Sequence, residues 1–118
     1  MKTHKDLIVW QKSLDFVTEI YQLTKSYPKD EVYGLTNQLR RAAVSIPSNI
    51  AEGAARSTKK EFNQFLHISL GSLSELETQL LISENLGYLS KEDSLKKIEK
   101  LTEIRRILLG LISSIEKC

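Results

Sequence analysis

The chain has 118 residues, a formal net charge of +2, 41% hydrophobic residues and 27% charged residues. This is the balance of an ordinary globular domain, and we expect residues 1–118 to form a single domain. No apolar run approaches the ~18 residues that a membrane-spanning helix needs. Only 5 Gly and 2 Pro interrupt the chain, which favours a few long helices over many short strands.

The first predicted helix runs from about Leu7 to Ser26 and carries two apolar stripes. The stripe that we assign to the bundle core is Leu7, Trp10, Leu14, Val17 and Tyr21. The second stripe is Val9, Phe16, Ile20, Leu23 and Tyr27. Two stripes are more than one core asks of a helix, so either the helix is unusually buried or the second stripe meets another subunit. We expect an oligomer interface at Val9, Phe16, Ile20 and Leu23.

The second predicted helix begins at Val32 or Leu35 and ends at Ala54. Its core face is Leu35, Leu39, Ala42, Ala43, Ile46 and Ile50. Pro47 lies in its middle, where the missing N–H and the ring are expected to kink the helix.

Two further helices complete the pattern, over about Lys59 to Leu86 and Lys91 to Glu116. Thr58 and Glu61 have capping-box spacing, and Ser90 is placed to cap the last helix. The three connections are short, which makes successive helices antiparallel neighbours. The sequence therefore predicts an all-α, up-down-up-down four-helix bundle.

A polar stripe runs along the otherwise apolar second helix. Its members are Gln38, Arg41, Ser45, Ser48, Asn49 and Glu52. Three interpretations are open: an internal hydrogen-bonded network, a contact surface for a ligand or nucleic acid, and a subunit contact. If Arg41 and Glu52 are buried and paired, Arg41→Ala and Glu52→Ala should destabilise the fold.

Basic residues are concentrated in the first half of the chain. Residues 1–60 hold 10 Lys or Arg and 6 Asp or Glu, whereas residues 61–118 hold 7 and 9. This asymmetry points to a polyanion. The candidate phosphate contacts are Arg40, Arg41, Arg56, Lys59 and Lys60.

The sequence offers no arrangement typical of catalysis or metal binding. Neither His4 nor His67 follows a Glu by three residues, and the glycines are scattered singly. We expect no enzyme activity, no metal and no cofactor. Cys118 is the only cysteine, and the short apolar stretch near the start is too brief for a signal peptide. We therefore expect a cytoplasmic protein with no membrane contact.

Several motifs resemble a known family. They are Val9-Trp10-Gln11-Lys12-Ser13, the segment 33–43, Ser45-Ile46-Pro47-Ser48-Asn49-Ile50-Ala51-Glu52-Gly53, the pairs at 61–62 and 65–66, and the segments 74–80 and 86–89. Together they resemble the bacterial four-helix-bundle proteins first described from intervening sequences in 23S ribosomal RNA genes. The resemblance implies a homopentamer around a central channel. A related branch serves as the accessory protein of diversity-generating retroelements, which binds a reverse transcriptase and nucleic acid.

Two functional hypotheses follow. The first is a non-catalytic oligomeric scaffold that binds RNA, DNA or a ribonucleoprotein through basic helix-end residues. The second is a protein-interaction module that serves a partner enzyme, such as a reverse transcriptase, without touching nucleic acid.

Overall fold

A computed structural model describes residues 3–117, so Cys118 lies outside the described residues. Four long helices make up most of this range. They are α1 (Ile8–Thr24), α2 (Leu35–Ala54), α3 (Lys59–Asn85) and α4 (Lys91–Glu116). Short 3₁₀ turns at His4–Asp6 and Lys29–Glu31 precede α1 and α2. The all-α fold and the four helices predicted from the sequence are confirmed.

Contacts between helices show that each neighbour runs antiparallel to the next. Asn63 near the start of α3 meets Glu116 at the end of α4 at 3.0 Å, whereas Glu77 further along α3 meets Arg105 at 2.8 Å, so α3 runs antiparallel to α4. Likewise Lys12 meets Glu103 while Glu19 meets Lys97, so α1 runs antiparallel to α4. Helix α1 packs on α2 and α4, and α3 packs on the same two helices. The helices therefore form an up-down-up-down bundle.

The two apolar stripes of α1 face the opposite way from the sequence prediction. Phe16 is 1% exposed, and Val9 and Ile20 are equally buried in the core. Leu23 is half-buried and packs against the same core. Three of the four residues assigned to an oligomer interface are thus covered within one chain, and that assignment is wrong. The stripe assigned to the core lies at its edge: Leu7, Trp10 and Val17 are half-buried against the core, whereas Leu14 is 44% exposed and Tyr21 39%.

Two small hydroxyl residues explain the reversal. Ser13 and Thr24 are buried on the same face as Phe16 and Ile20. The Ser13 hydroxyl donates to the Trp10 carbonyl at 2.9 Å, and the Thr24 hydroxyl donates to the Ile20 carbonyl at 2.8 Å. Since both hydroxyls are satisfied by the preceding turn, they enter the core at little cost. Their polar side chains interrupt the apolar pattern of the true core face.

Helix α2 packs most closely on α3 where its side chains are smallest. A Cβ placed on Gly53 would lie 2.7 Å from the Phe65 Cβ and 3.2 Å from the Phe62 carbonyl oxygen. Only glycine permits this approach. Helix α2 continues through Pro47 as one helix, with Pro47 buried; a kink there stays a prediction.

The predicted starts of α3 and α4 and the predicted end of α3 are confirmed, whereas α1 ends at Thr24 rather than Ser26. The Thr58 hydroxyl accepts from the Glu61 N–H, and the Ser90 hydroxyl accepts from the Asp93 N–H, each at 3.1 Å. Gly87 follows α3 with a φ of 79°, and the Tyr88 N–H donates back to the Ser83 carbonyl at 3.0 Å. This is the glycine-terminated helix end that the sequence suggested.

Glu31 ties the start of α2 to the turn between α3 and α4. Its Oε1 accepts from the Leu35 N–H at 3.1 Å, and its Oε2 accepts from the Tyr88 hydroxyl at 2.9 Å. The backbone hydrogen bond and then the Tyr88 hydroxyl lower the pKa of Glu31. The carboxylate thus replaces the missing side-chain cap at Gly34.

Ion pairs close the seam between α1 and α4. Glu19 accepts from Lys97 at 2.7 Å and from Lys100 at 2.8 Å. Burial acts to raise the pKa of Glu19, but the hydrogen bonds from Lys100 and Lys97, with their charges, outweigh it and lower the pKa. The ionised carboxylate is therefore stabilised by the fold.

The pKa shift predicts an acid-dependent loss of stability. A depressed pKa stabilises the fold fully above the ordinary value of 4.5, and the gain disappears as pH falls through the lower folded value. We expect the wild type to be more stable than Glu19→Gln at pH 7, with the difference shrinking below pH 4.5. Urea unfolding across this pH range measures it. A difference that does not change with pH would exclude the ion pairs as its source.

Candidate functional site: a polar network and a basic corner

A hydrogen-bonded network joins the middle of α2 to α3. The Asn49 amide donates to the Ser45 carbonyl at 2.8 Å and to the Ser45 hydroxyl at 2.9 Å. The Ser45 and Ser72 hydroxyls are 2.8 Å apart, and Ser72 also donates to the Ile68 carbonyl. Closer to the core, the buried Ser69 hydroxyl of α3 donates to the Ile46 carbonyl of α2 at 2.8 Å. The network therefore spans Pro47, with Ser45 and Ile46 before it and Asn49 after it.

The network includes only part of the predicted polar stripe. Gln38, Arg41 and Ser48 are exposed on α2. Glu52 is also exposed, with 55% of its side chain accessible, and pairs with Arg56 at 3.4 Å rather than with Arg41. The burial that would have made Arg41→Ala and Glu52→Ala strongly destabilising is absent. The prediction left out Ser69 and Ser72, which form the hydrogen bonds from α3 to α2. No pattern within α2 could have indicated them.

These positions predict different costs for two substitutions on one helix. Asn49→Ala removes two hydrogen bonds within α2 to Ser45, the residue that contacts Ser72 of α3, and should lower the free energy of unfolding by about 1 kcal/mol. Glu52→Ala removes only an exposed ion pair and should change it by less than about 0.5 kcal/mol. Chemical denaturation of both variants measures the costs. Equal losses would mean that the exposed end of the stripe also supports the fold.

The five predicted phosphate contacts fall into two separate groups. Arg40 and Arg41 lie in the first half of α2, whereas Arg56, Lys59 and Lys60 lie where α2 ends and α3 begins. At 1.5 Å per residue, about 20 Å separates Arg41 from the end of α2. The structure therefore does not bring the five residues into one patch.

The two arginines of the first group, Arg40 and Arg41, differ in how firmly their side chains are held. Arg40 donates through Nε to the Thr24 hydroxyl at 2.8 Å, and its guanidinium lies 4.6 Å from the centre of the Tyr21 ring. Arg41 beside it is exposed and makes no ion pair with any residue in 3–117. The first group thus presents one fixed and one extended cation.

We call Arg56, Lys59 and Lys60 the basic corner. All three are exposed at the α2–α3 turn, and both lysines occupy the first turn of α3. Neither lysine forms an ion pair within the described range. The Arg56 guanidinium lies 4.8 Å from the centre of the Phe65 ring, which fixes it over α3. Lys5 borders a cleft shared with Ala54 and Ala55 at the same end of the bundle.

The helix start strengthens the positive potential of this corner. The first turn of a helix carries partial positive charge and presents free backbone N–H groups, and both favour anions. Thr58 and Glu61 cap part of this turn. The lysines add two exposed, unpaired ammonium groups to the Arg56 guanidinium, which also pairs with Glu52 at 3.4 Å. The corner is therefore suited to bind phosphate oxygens.

No three His, Cys, Asp or Glu side chains within residues 3–117 come together as metal ligands. In the same range, no helix has the length and apolar character needed to cross a bilayer.

Comparison with known proteins places this bundle in a family. Residues 5–110 match the family model described as 23S rRNA-intervening sequence protein. The chain belongs to this family. The match extends from within the first 3₁₀ turn to Gly110 in α4, so it includes both the network and the basic corner. The resemblance seen in the sequence motifs is confirmed.

A solved structure shares the fold of this family member. It is a protein of unknown function from the S23 ribosomal protein family of Bacteroides thetaiotaomicron. The two chains are 26% identical, with a TM-score of 0.80 over 89% of this chain and 98% of the other. No curated protein matches the chain.

Proposed function

We propose that the protein is a non-catalytic RNA-binding scaffold in which the basic corner contacts phosphates. The observation that carries this proposal is three exposed cations within five residues, Arg56 to Lys60, at a helix start. The family description, which refers to a 23S rRNA intervening sequence, supports RNA as the polyanion. This role implies a cytoplasmic location.

The chemistry of the corner favours backbone contacts over base recognition. Arg56 covers the ring of Phe65, so that ring is not presented as a platform for stacking bases. Lysine ammonium groups bind phosphates as point charges and carry no sequence information. We therefore propose binding that depends on the charge and shape of the RNA and falls steeply with salt.

We also propose that the scaffold is a homo-oligomer, the resemblance implying a pentamer. Several copies would present several basic corners to one RNA, which raises affinity without new contacts. Exposed leucines on α4 supply apolar surface for a subunit contact: Leu95 and Leu109. Sedimentation equilibrium gives the number of subunits, and a monomer at all concentrations would exclude the oligomer.

Neutralising the basic corner should weaken RNA binding and its salt dependence. In the triple variant Arg56→Gln, Lys59→Gln, Lys60→Gln, up to three phosphate contacts are lost. The slope of log affinity against log salt should fall by about 2, given roughly 0.7 per contact with a single strand. Filter binding of a short RNA at a series of salt concentrations measures the slope.

Three lysines at the opposite end of the bundle provide the control. Lys25, Lys29 and Lys91 are exposed, and their replacement by Gln removes the same charge. This variant should keep most of the wild-type slope. Equal losses in both triple variants would show a response to net charge alone. No RNA retention by the wild type at low salt would contradict the proposal and leave the protein-interaction module as the surviving hypothesis.

A further inference from the structure

A groove runs along the outer side of α1 and α2, from Asn37 to Ala51. One half of it has a volume of about 340 Å³ and is almost entirely apolar. Helix α1 contributes Trp10, Leu14 and Val17, and α2 contributes Val44, Pro47 and Ala51. We call this cleft and its continuation the flank groove. Exposed apolar surface of this kind marks interaction sites.

The other half of the flank groove is cationic. It has a volume of about 510 Å³ and is lined by Tyr21, Asn37, Arg40, Arg41 and Ser48, among others. Val44 and Ser48 border both halves, so the two form one surface. Arg40 uses Nε on Thr24 and one terminal nitrogen on the Tyr21 carbonyl at 3.3 Å, which leaves further N–H groups free. Arg41 extends beside it.

The length and chemistry of the flank groove indicate what fits it. From Asn37 to Ala51 the groove spans about 20 Å, which is the length of roughly 14 residues of α-helix. Its walls are two helices that use their own backbone groups, so an extended peptide would find no partners for its N–H and C=O groups. A helix satisfies these groups internally. The apolar half disfavours a phosphate backbone, because its lining contains no lysine or arginine and His4 is its one titratable side chain.

We propose that the flank groove binds an amphipathic helix of a partner protein. The helix would place apolar side chains against Trp10, Leu14 and Pro47 and carboxylates against Arg40 and Arg41. This is the helix-in-groove mode of recognition, with charge fixing the direction of the helix. The inference does not depend on RNA binding, since the arginines of the groove lie about 20 Å from the basic corner along α2 and the apolar half of the groove lies between them.

The probe is a synthetic amphipathic helix. A fluorescent peptide of about 15 residues carries leucines at helical spacing along one face and glutamates in its last turn. Anisotropy titration with the full chain should show saturable binding. A peptide with lysines in place of these glutamates should bind at least about tenfold more weakly. The absence of saturable binding by the acidic peptide would overturn the proposal.

Two exposed leucines supply matched variants. Leu14 in the groove and Leu81 on α3 are both 44% exposed. Leu14→Glu should weaken peptide binding at least about tenfold, whereas Leu81→Glu should leave it unchanged. Circular dichroism checks that both variants are folded. Equal effects of the two substitutions would overturn the proposal.

Charge reversal tests the cationic half, and two other outcomes would assign the groove differently. Arg41→Glu should weaken binding of the acidic peptide and improve binding of the lysine peptide. If Leu14→Glu instead dissociates an oligomer in sedimentation, the occupant is a second copy. If it abolishes RNA retention, the occupant is nucleic acid. Either result would overturn the partner-helix proposal.

Discussion

Phe16→Ala is expected to lower the free energy of unfolding by about 3–5 kcal/mol, the usual cost of removing a buried aromatic ring. Phe16 is 1% exposed and packs in the core among residues from α1 and its neighbours. The loss combines two terms: the free energy gained by burying the ring, which the variant lacks, and the cost of the cavity left behind. Chemical denaturation of the purified variant measures it, and a cost of this size approaches the whole stability of a small domain.

Leu14→Ala on the same helix is the matched control. Leu14 belongs to the stripe that the sequence suggested as core, yet it is 44% exposed. Its truncation should cost less than about 1 kcal/mol, because much of the side chain already contacts water. The two variants together test the orientation of α1. A large cost at Leu14 and a small one at Phe16 would mean that α1 is rotated by about half a turn.

Gly53→Ala is expected to destabilise the protein by about 1–3 kcal/mol, even though alanine is the better helix former. The added methyl would lie 2.7 Å from the Phe65 Cβ, and 3.0 Å from the Phe62 Cδ1. The Phe65 Cβ is held by its own backbone, so relief requires α2 and α3 to separate. Thermal and urea unfolding measure the loss.

Gly71→Ala is the control for helix propensity. Gly71 lies within α3, and a Cβ there would meet nothing within 4 Å. The substitution should stabilise the fold by about 0.5–1 kcal/mol, because alanine loses less backbone entropy than glycine. Opposite signs at the two glycines would confirm a close α2–α3 contact at Gly53. Stabilisation at both positions would contradict that contact.

The positions of the helices could be predicted from the sequence because local signals determine them. Thr58, Ser90 and Gly87 act within one turn of the helix that they begin or end, and the structure places them where their residue types indicate. The fourth helix has the predicted bounds, Lys91–Glu116. The antiparallel order follows from short connections.

The orientation of α1 could not be predicted in the same way. Both of its stripes have helical spacing, and the true core face contains Ser13 and Thr24. Their burial depends on hydrogen bonds to the preceding turn, which an apolar pattern does not register. The network around Asn49 could likewise be predicted only in its α2 part, since Ser72 and Ser69 belong to α3.

The sequence indicated which cations could bind phosphate, but not which of them lie together. Arg40, Arg41, Arg56, Lys59 and Lys60 are cations as expected, but only the last three share a corner. Arg40 and Arg41 border the flank groove instead. We therefore propose that the protein uses two separate surfaces, the basic corner for phosphate contacts and the flank groove for a protein helix.

Chemical-shift mapping tests this division most directly. A short RNA is titrated into the isotope-labelled full chain, and backbone amide shifts are followed residue by residue. The account predicts perturbations concentrated at Arg56, Lys59 and Lys60, with little change at Arg41 or Trp10. Perturbations centred on Arg41 and the flank groove, with the basic corner unchanged, would contradict it.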